Sequence, residues 1–210
     1  MSVGTDVDVV VVGAGPAGAS AARELAEDGA DVVLLDREEF PRYKTCGGGI
    51  IGVTHSCIPP GAPIREEIYE ATFTLRGQQF RRQHSASPFM ATVIRSEFDG
   101  WLVDLARRAG ANFLGGCGAR DVSQFADHVQ VETSDGRRIT SKFLVDGSGT
   151  SSRIARDVGV TLSAVDLGLE LELQSDAGDT RWQRRIHLDW GPIPGSYGWV
   201  FPKGDSLTVG

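Results

Sequence analysis

Apolar and polar residues follow a different rhythm in successive stretches of this chain. Val7 and Val9–Val12 form a β-branched run that predicts a strand buried on both faces. From Ala17 to Asp28 the pattern turns helical. Ala22, Leu25 and Ala26 share one face there, and Gly29 serves as the stop. Val32–Leu35 predicts a second buried strand that ends at Asp36. A polar, Gly- and Pro-rich region follows, in which Pro59, Pro60 and Pro63 mark a loop or helix start. Strands are expected at 71–75, 79–83 and 89–94, the first two separated by a turn at Gly77. Ser96 reads as the N-cap of a helix carrying Phe98, Trp101, Leu102, Leu105 and Ala106 and ending near Gly110. Residues 111–114 predict a strand returning to the parallel sheet. Segments 122–125, 128–133 and 139–144 predict an antiparallel meander turned by Asp135-Gly136, and a strand ends at Val145-Asp146-Gly147. From 167 onward three more antiparallel strands are expected, at 167–173, 184–190 and 196–201.

The first junction carries chemistry. Gly13, Gly15 and Gly18 stand at G-x-G-x-x-G spacing between a strand and a helix. That spacing permits a tight turn, a close approach of backbone to a pyrophosphate, and close helix–strand packing. The helix N-terminus adds unpaired N–H groups and partial positive charge. Asp36, about 20 residues further on, is placed to accept hydrogen bonds from ribose hydroxyls. These elements occur in the order that a dinucleotide site requires.

Composition removes other classes. The 210 residues suit one large or two small domains, and a net charge of −7 excludes nucleic acid as a partner. No apolar run is long enough to span a bilayer, and the N-terminus lacks a signal-peptide pattern. Cys46, Cys57 and Cys117 form no C-x-x-C pair, which fits a reducing, cytoplasmic setting. Cys57 and Cys117 read as inert buried thiols. His55, His84, His128 and His187 show no ligand spacing, so no metal site is expected.

Four separated segments together resemble the geranylgeranyl reductase family of FAD-dependent oxidoreductases, within the p-hydroxybenzoate hydroxylase-like fold. Pro41, Lys44, Cys46, Gly47 and Gly48 match P-x-x-K-x-C-G-G. Arg95, Phe98, Asp99 and Leu102 match R-x-x-F-D-x-x-L. Residues 145–153 resemble D-G-x-x-S-x-x-R, with Thr150 at the usual serine. Tyr197, Trp199, Phe201 and Pro202 match Y-x-W-x-F-P. The resemblance implies an α/β fold: a Rossmann-type FAD-binding domain with a parallel sheet (1–70 and 95–160) and an interleaved, mostly antiparallel β substrate domain (71–94 and 161–210). It implies FAD contacts from Gly13, Ala14, Gly15, Pro16, Ala17 and Gly18, and from Asp36 and Arg37. Further contacts would come from Cys46, Gly47, Gly48, Arg95, Ala119, Asp146 and Gly147.

The implied activity is reduction of C=C bonds in an isoprenoid or prenyl-lipid chain, with NAD(P)H or another reductant as electron donor. Cys46 is the catalytic candidate, as proton donor or as packing against the flavin ring, with a bound water the other proton source. Tyr197, Trp199 and Phe201 alternate along one strand, so they share a face and form the expected substrate wall. Arg181, Arg184 and Arg185 make either a phosphate-binding group or a solvated charged face. A greasy substrate implies peripheral membrane contact. Members of the family continue well beyond the F-P segment, so a chain ending at Gly210 is expected to be a C-terminally truncated representative with an incomplete β domain. Alternatives on the same fold are an aromatic monooxygenase or flavin halogenase. Outside catalysis, the alternative is a truncated nucleotide-binding fragment.

Overall fold

The computed structural model describes residues 6–175, 180–191 and 193–210. The chain begins with β1 (Val7–Val12), α1 (Pro16–Glu27), β2 (Val32–Leu35), β3 (Gly49–Ile51), α2 (Val53–Ser56), β4 (Ile64–Ile68), β5 (Glu70–Leu75) and β6 (Gln78–His84). It continues with β7 (Met90–Val93), α3 (Arg95–Ala109), β8 (Asn112–Leu114), β9 (Ala119–Gln124), β10 (Val129–Thr133), β11 (Arg138–Asp146) and α4 (Arg153–Asp157). The remaining strands are β12 (Leu171–Gln174), β13 (Arg185–Trp190), β14 (Gly198–Pro202) and β15 (Ser206–Val209). Two compact units result, one of residues 1–42 and 99–165, the other of 43–98 and 166–210. Residues 43–70 and 95–98 thus fall in the second unit, not with the nucleotide-binding segments where the sequence grouped them.

The first unit holds a six-stranded sheet in the order β8-β2-β1-β11-β10-β9. β8, β2, β1 and β11 run parallel, and β9–β11 form the antiparallel meander. Val10, Val12, Val33, Leu35, Val131 and Ile139 pack into one core with the buried Cys117. Each such aliphatic side chain contributes about 1.5–3 kcal/mol by leaving water, which explains why the valine run of β1 sits at the sheet centre.

The second unit contains a six-stranded sheet, β12-β15-β14-β13-β5-β6, and a three-stranded sheet, β3-β7-β4. The larger sheet is mostly antiparallel, but β13 runs parallel to β5, with Ile186 opposite Ala71. Ile68, Ala71, Met90 and Ile186 form its core. The small sheet went unread in the sequence because β3 and β4 lie in the Gly- and Pro-rich region and β3 has only three residues. The helix α3 begins at Arg95, and the Ile94 carbonyl accepts from Glu97 and Phe98 N–H. Ser96 therefore lies inside the first turn and is not the cap. No helix among the described residues is long and apolar enough to cross a membrane.

Candidate cofactor and substrate sites

In the first unit, three glycines meet where β1 turns into α1. Gly13 has φ +92°, and a Cβ there would stand 2.7 Å from the backbone of Gly147 and Ser148. A Cβ on Gly18 would run into the Gly13 carbonyl, and one on Gly147 would lie 2.9 Å from Gly18 Cα. Backbone hydrogen bonds fix the cluster: Gly13 N–H donates to Leu35 O (2.7 Å) and Gly147 N–H to Val12 O (2.8 Å). These glycines serve close packing of main chain on main chain.

Gly15 differs. Its φ is −69°, and the nearest atom to a Cβ there is an Arg42 Nη at 3.7 Å. It is the N-cap of the 12-residue α1 and supplies no side-chain cap, with Pro16 following in the first turn. The first-turn N–H groups of Ala17 and Gly18 therefore stay open toward an anion. Beside them, the Arg42 guanidinium forms an ion pair with Asp99 at 3.1 Å, the carboxylate being fully buried, and lies 4.8 Å from the Phe40 ring centroid. Arg42 was not singled out in the sequence; its place in F-P-R-Y-K, next to the matched Pro41 and Lys44, was the available signal.

Asp36 is buried and its carboxylate accepts from Ala14 N–H (2.7 Å) and Glu38 N–H (3.0 Å). Its backbone continues the structure, accepting from Cys117 N–H at 2.8 Å. Two oxygens with about four acceptor positions leave capacity for a ribose hydroxyl. Arg37 Cβ lies 3.1 Å from a Cβ built on Gly118, the residue before Ala119, so Asp36, Arg37 and Ala119 belong to one neighbourhood. Asp146 ends β11 and is turned into its own loop. It accepts from Ser148 N–H (3.0 Å), Ser148 Oγ (2.5 Å) and Ser152 Oγ, while Ser152 also caps α4 by accepting from Ala155 N–H. Burial alone would raise the Asp146 pKa, but these hydrogen bonds outweigh it and hold the carboxyl below its ordinary value.

In the second unit, the Cys46–Gly49 segment lies against β14. A Cβ on Gly47 would stand 3.0 Å from Trp199 Nε1 and 3.2 Å from Phe201 Cδ2, and one on Gly49 would stand 3.3 Å from Phe201 Cε2. Tyr197, Trp199 and Phe201 form a continuous aromatic file, with ring centroids 6.0 and 6.3 Å apart. Trp190 and Phe73 extend it, at 6.5 Å from Tyr197 and 6.0 Å from Trp190. Tyr197 is 54% exposed. Cys46 is half-buried and Cys117 buried; Cys57 is exposed, contrary to the buried position expected from its type. Lys203, also unread in the sequence, is only 3% exposed and lies next to Cys46 and Gly48. Arg95 belongs to this unit as well, close enough to Lys203 for their charges to interact.

Of the arginines noted in the sequence, Arg184 and Arg185 meet different partners. Arg185 pairs with Glu70, which also takes Arg82 through two 2.8 Å hydrogen bonds. Arg184 lies 3.8 Å from the Tyr69 ring centroid. Arg82 and Arg185 thus share one carboxylate.

A family model described as FAD binding domain matches residues 6–181. The chain belongs to this FAD-binding family. Digeranylgeranylglycerophospholipid reductase 1 of Methanopyrus kandleri is 33% identical over 219 residues, covering 96% of this chain and 56% of the relative. Menaquinone reductase of Mycobacterium tuberculosis is 30% identical over 226 residues, covering 98% and 54%. A geranylgeranyl bacteriochlorophyll reductase-like crystal structure from Thermoplasma acidophilum has a TM-score of 0.77 at 22% identity, covering 97% of this chain and 55% of its own, and shares the fold. The resemblance read from the four sequence segments is thus met again in the names of relatives. The chain spans about half the length of these relatives.

The residues of the first unit fit the FAD of this family. Gly15 leaves the space a pyrophosphate needs, α1 presents uncapped N–H donors, and Arg42 adds a cation at the same point. Asp36 fits the adenosine ribose.

Proposed function

We propose that this chain is the FAD-binding and part of the substrate-binding portion of an oxidoreductase that reduces C=C bonds of an isoprenoid chain. The observation that carries the reading is the packing of the Cys46–Gly49 loop on the Trp199 and Phe201 rings within one unit. An apolar, flat-sided wall suits a long hydrocarbon without polar handles, and the thiol beside it suits a proton transfer. The names of the relatives support the same substrate class.

Gly13, Ala14, Gly15, Pro16, Ala17 and Gly18 would hold the pyrophosphate, with Arg37, Ala119 and Asp36 toward the adenosine and Gly147 and Asp146 shaping the opposite side of the turn. Gly47, Gly48 and Arg95 would be further cofactor contacts, as the family resemblance implies. When bound, FAD supplies the hydride, after reduction by NAD(P)H or another donor. Cys46 Sγ would hold the proton destined for the second alkene carbon, since an unactivated alkene takes hydride poorly without one. Tyr197, Trp199 and Phe201 would orient the chain and exclude water. A substrate of this kind would be met at a membrane surface by a cytoplasmic protein.

The test begins with the purified 210-residue chain, desalted after incubation with excess FAD. The expected result is a retained visible flavin band and, after chemical reduction, a mass gain of two per saturated bond in a geranylgeranyl substrate. Retained flavin with an unchanged alkene, and oxygen-dependent hydroxylation of a phenol instead, would overturn the reductase reading.

A further inference from the structure

The Cys46 peptide is held from both ends by opposite charges. Its N–H donates to Glu170 Oε1 at 2.5 Å, and its carbonyl accepts from Lys203 Nζ at 3.5 Å. Its Sγ accepts from Gly48 N–H at 3.4 Å. The contact with the carbonyl is the one hydrogen bond that the ammonium makes among the described residues, and its length makes it weak.

Lys203 is built into this place. Its N–H donates to Ser206 O at 2.8 Å, closing the turn from β14 to β15, and the preceding Pro202 carbonyl accepts from buried Thr92 Oγ1 at 2.6 Å. Gly48, at φ +70°, brings the main chain close: a Cβ there would run into the Val93 carbonyl oxygen, and would also lie 3.2 Å from Lys203 Cε and 3.3 Å from Nζ. Burying an ammonium costs hydration and rotamer freedom. One long hydrogen bond does not offset that by itself; the nearby Glu172 and Glu170 charges favour the ammonium, whereas a methionine would fill the volume and leave those carboxylates unanswered. The use of Lys203 therefore lies in its charge.

We propose that Lys203 is a positioning residue that sets the reactivity of the Cys46 thiol, with Glu170 as the opposing control. The proposal rests on the proton-donor role of Cys46 in the proposed reduction. As the Cys46 S–H bond breaks, its proton forms the C–H bond at the alkene carbon that does not take the hydride. The electron pair stays on sulfur as a thiolate, which the nearby ammonium stabilises until water returns a proton. Burial pushes the Lys203 pKa down, while Glu172, Glu170 and Cys46 pull it up and Arg95 pushes it down. These groups come from β12, the segment before it, the Cys46 loop and α3, and together they set the field that the thiol meets.

Alkylation of Cys46 by iodoacetamide, resolved by peptide mass spectrometry across neutral to alkaline pH, tests this on the whole chain. Exposed Cys57 is the internal reference. K203M is expected to slow Cys46 about fivefold at neutral pH, and K203R to restore most of the rate. E170Q is expected to accelerate it, and Cys57 to hold its rate in every variant. A structural clamp alone would give faster alkylation in both K203M and E170Q, because either change loosens the loop. That outcome, or unchanged rates in K203M, would overturn the proposal. If K203M does not fold, a slowing or no change in E170Q overturns it alone. Alkylation needs neither FAD nor alkene, so this test and the reductase test can fail separately. Opposed rate changes in a chain that takes no flavin would refute only the reductase reading. Alkene reduction without charge dependence at Cys46 would refute only the role of Lys203.

Discussion

The glycine turn of the first unit and the Cys46–Gly49 loop of the second both depend on missing side chains, but for different reasons. At Gly13, Gly18 and Gly147 main chain packs on main chain, so any Cβ meets atoms that cannot move. At Gly47 and Gly49 the space is taken by Trp199, Phe201 and Met90, side chains that can shift. Gly15 is a third kind: little is packed against it, so neither main chain nor a packed side chain accounts for its lack of a Cβ.

Substitutions separate these kinds. The largest effect is expected for G18A, whose methyl group enters the Gly13 carbonyl, with a loss of about 3 kcal/mol in a urea titration. A loss below about 1 kcal/mol would show that this backbone contact can relax. G15A should cost less than about 1 kcal/mol of stability, yet weaken FAD retention at least about tenfold, about 1.4 kcal/mol. Flavin absorbance against urea midpoint in the same sample checks both, and equal flavin retention would remove Gly15 from the site. G47A should cost about 1 kcal/mol as the Trp199 and Phe201 rings yield, with a shift in tryptophan emission as the readout.

The smallest effect concerns the loop that follows β11. S152A removes the α4 cap and one hydrogen bond to Asp146, worth about 1 kcal/mol. Because the folded Asp146 pKa lies below its ordinary value, its contribution is present above the usual carboxylate range and lost as pH falls through the folded value. The wild-type chain should therefore lose more stability between neutral and acid pH than S152A does. Urea midpoints at the two pH values measure the difference.

Legibility followed the same division. The β1–α1–β2 unit was readable because each of its signals is local: valines in a run, glycines at fixed spacing, an acid at the strand end. The aromatic file was readable as an alternation, with Trp199 and Phe201 on β14 and Tyr197 just before it, and the ring distances place the three together. The small sheet β3-β7-β4 was hidden, since its pairing joins Gly49 to Thr92 and Ile68 to Met90 across polar, Pro-rich sequence. Arg42 and Lys203 were hidden for a related reason. A charged residue in a motif looks the same whether it faces water or is buried beside a distant partner.

Sequence alone determined the nucleotide turn, the β1–α1–β2 unit and the aromatic alternation, because backbone conformation and side-chain period depend on near neighbours. Only tertiary structure decided that β13 runs parallel to β5, that Asp99 is buried against Arg42, and that Glu170 and Lys203 hold Cys46 from either side. Those contacts join residues up to 157 positions apart, and burial and charge at such sites are set by what the folded chain brings alongside.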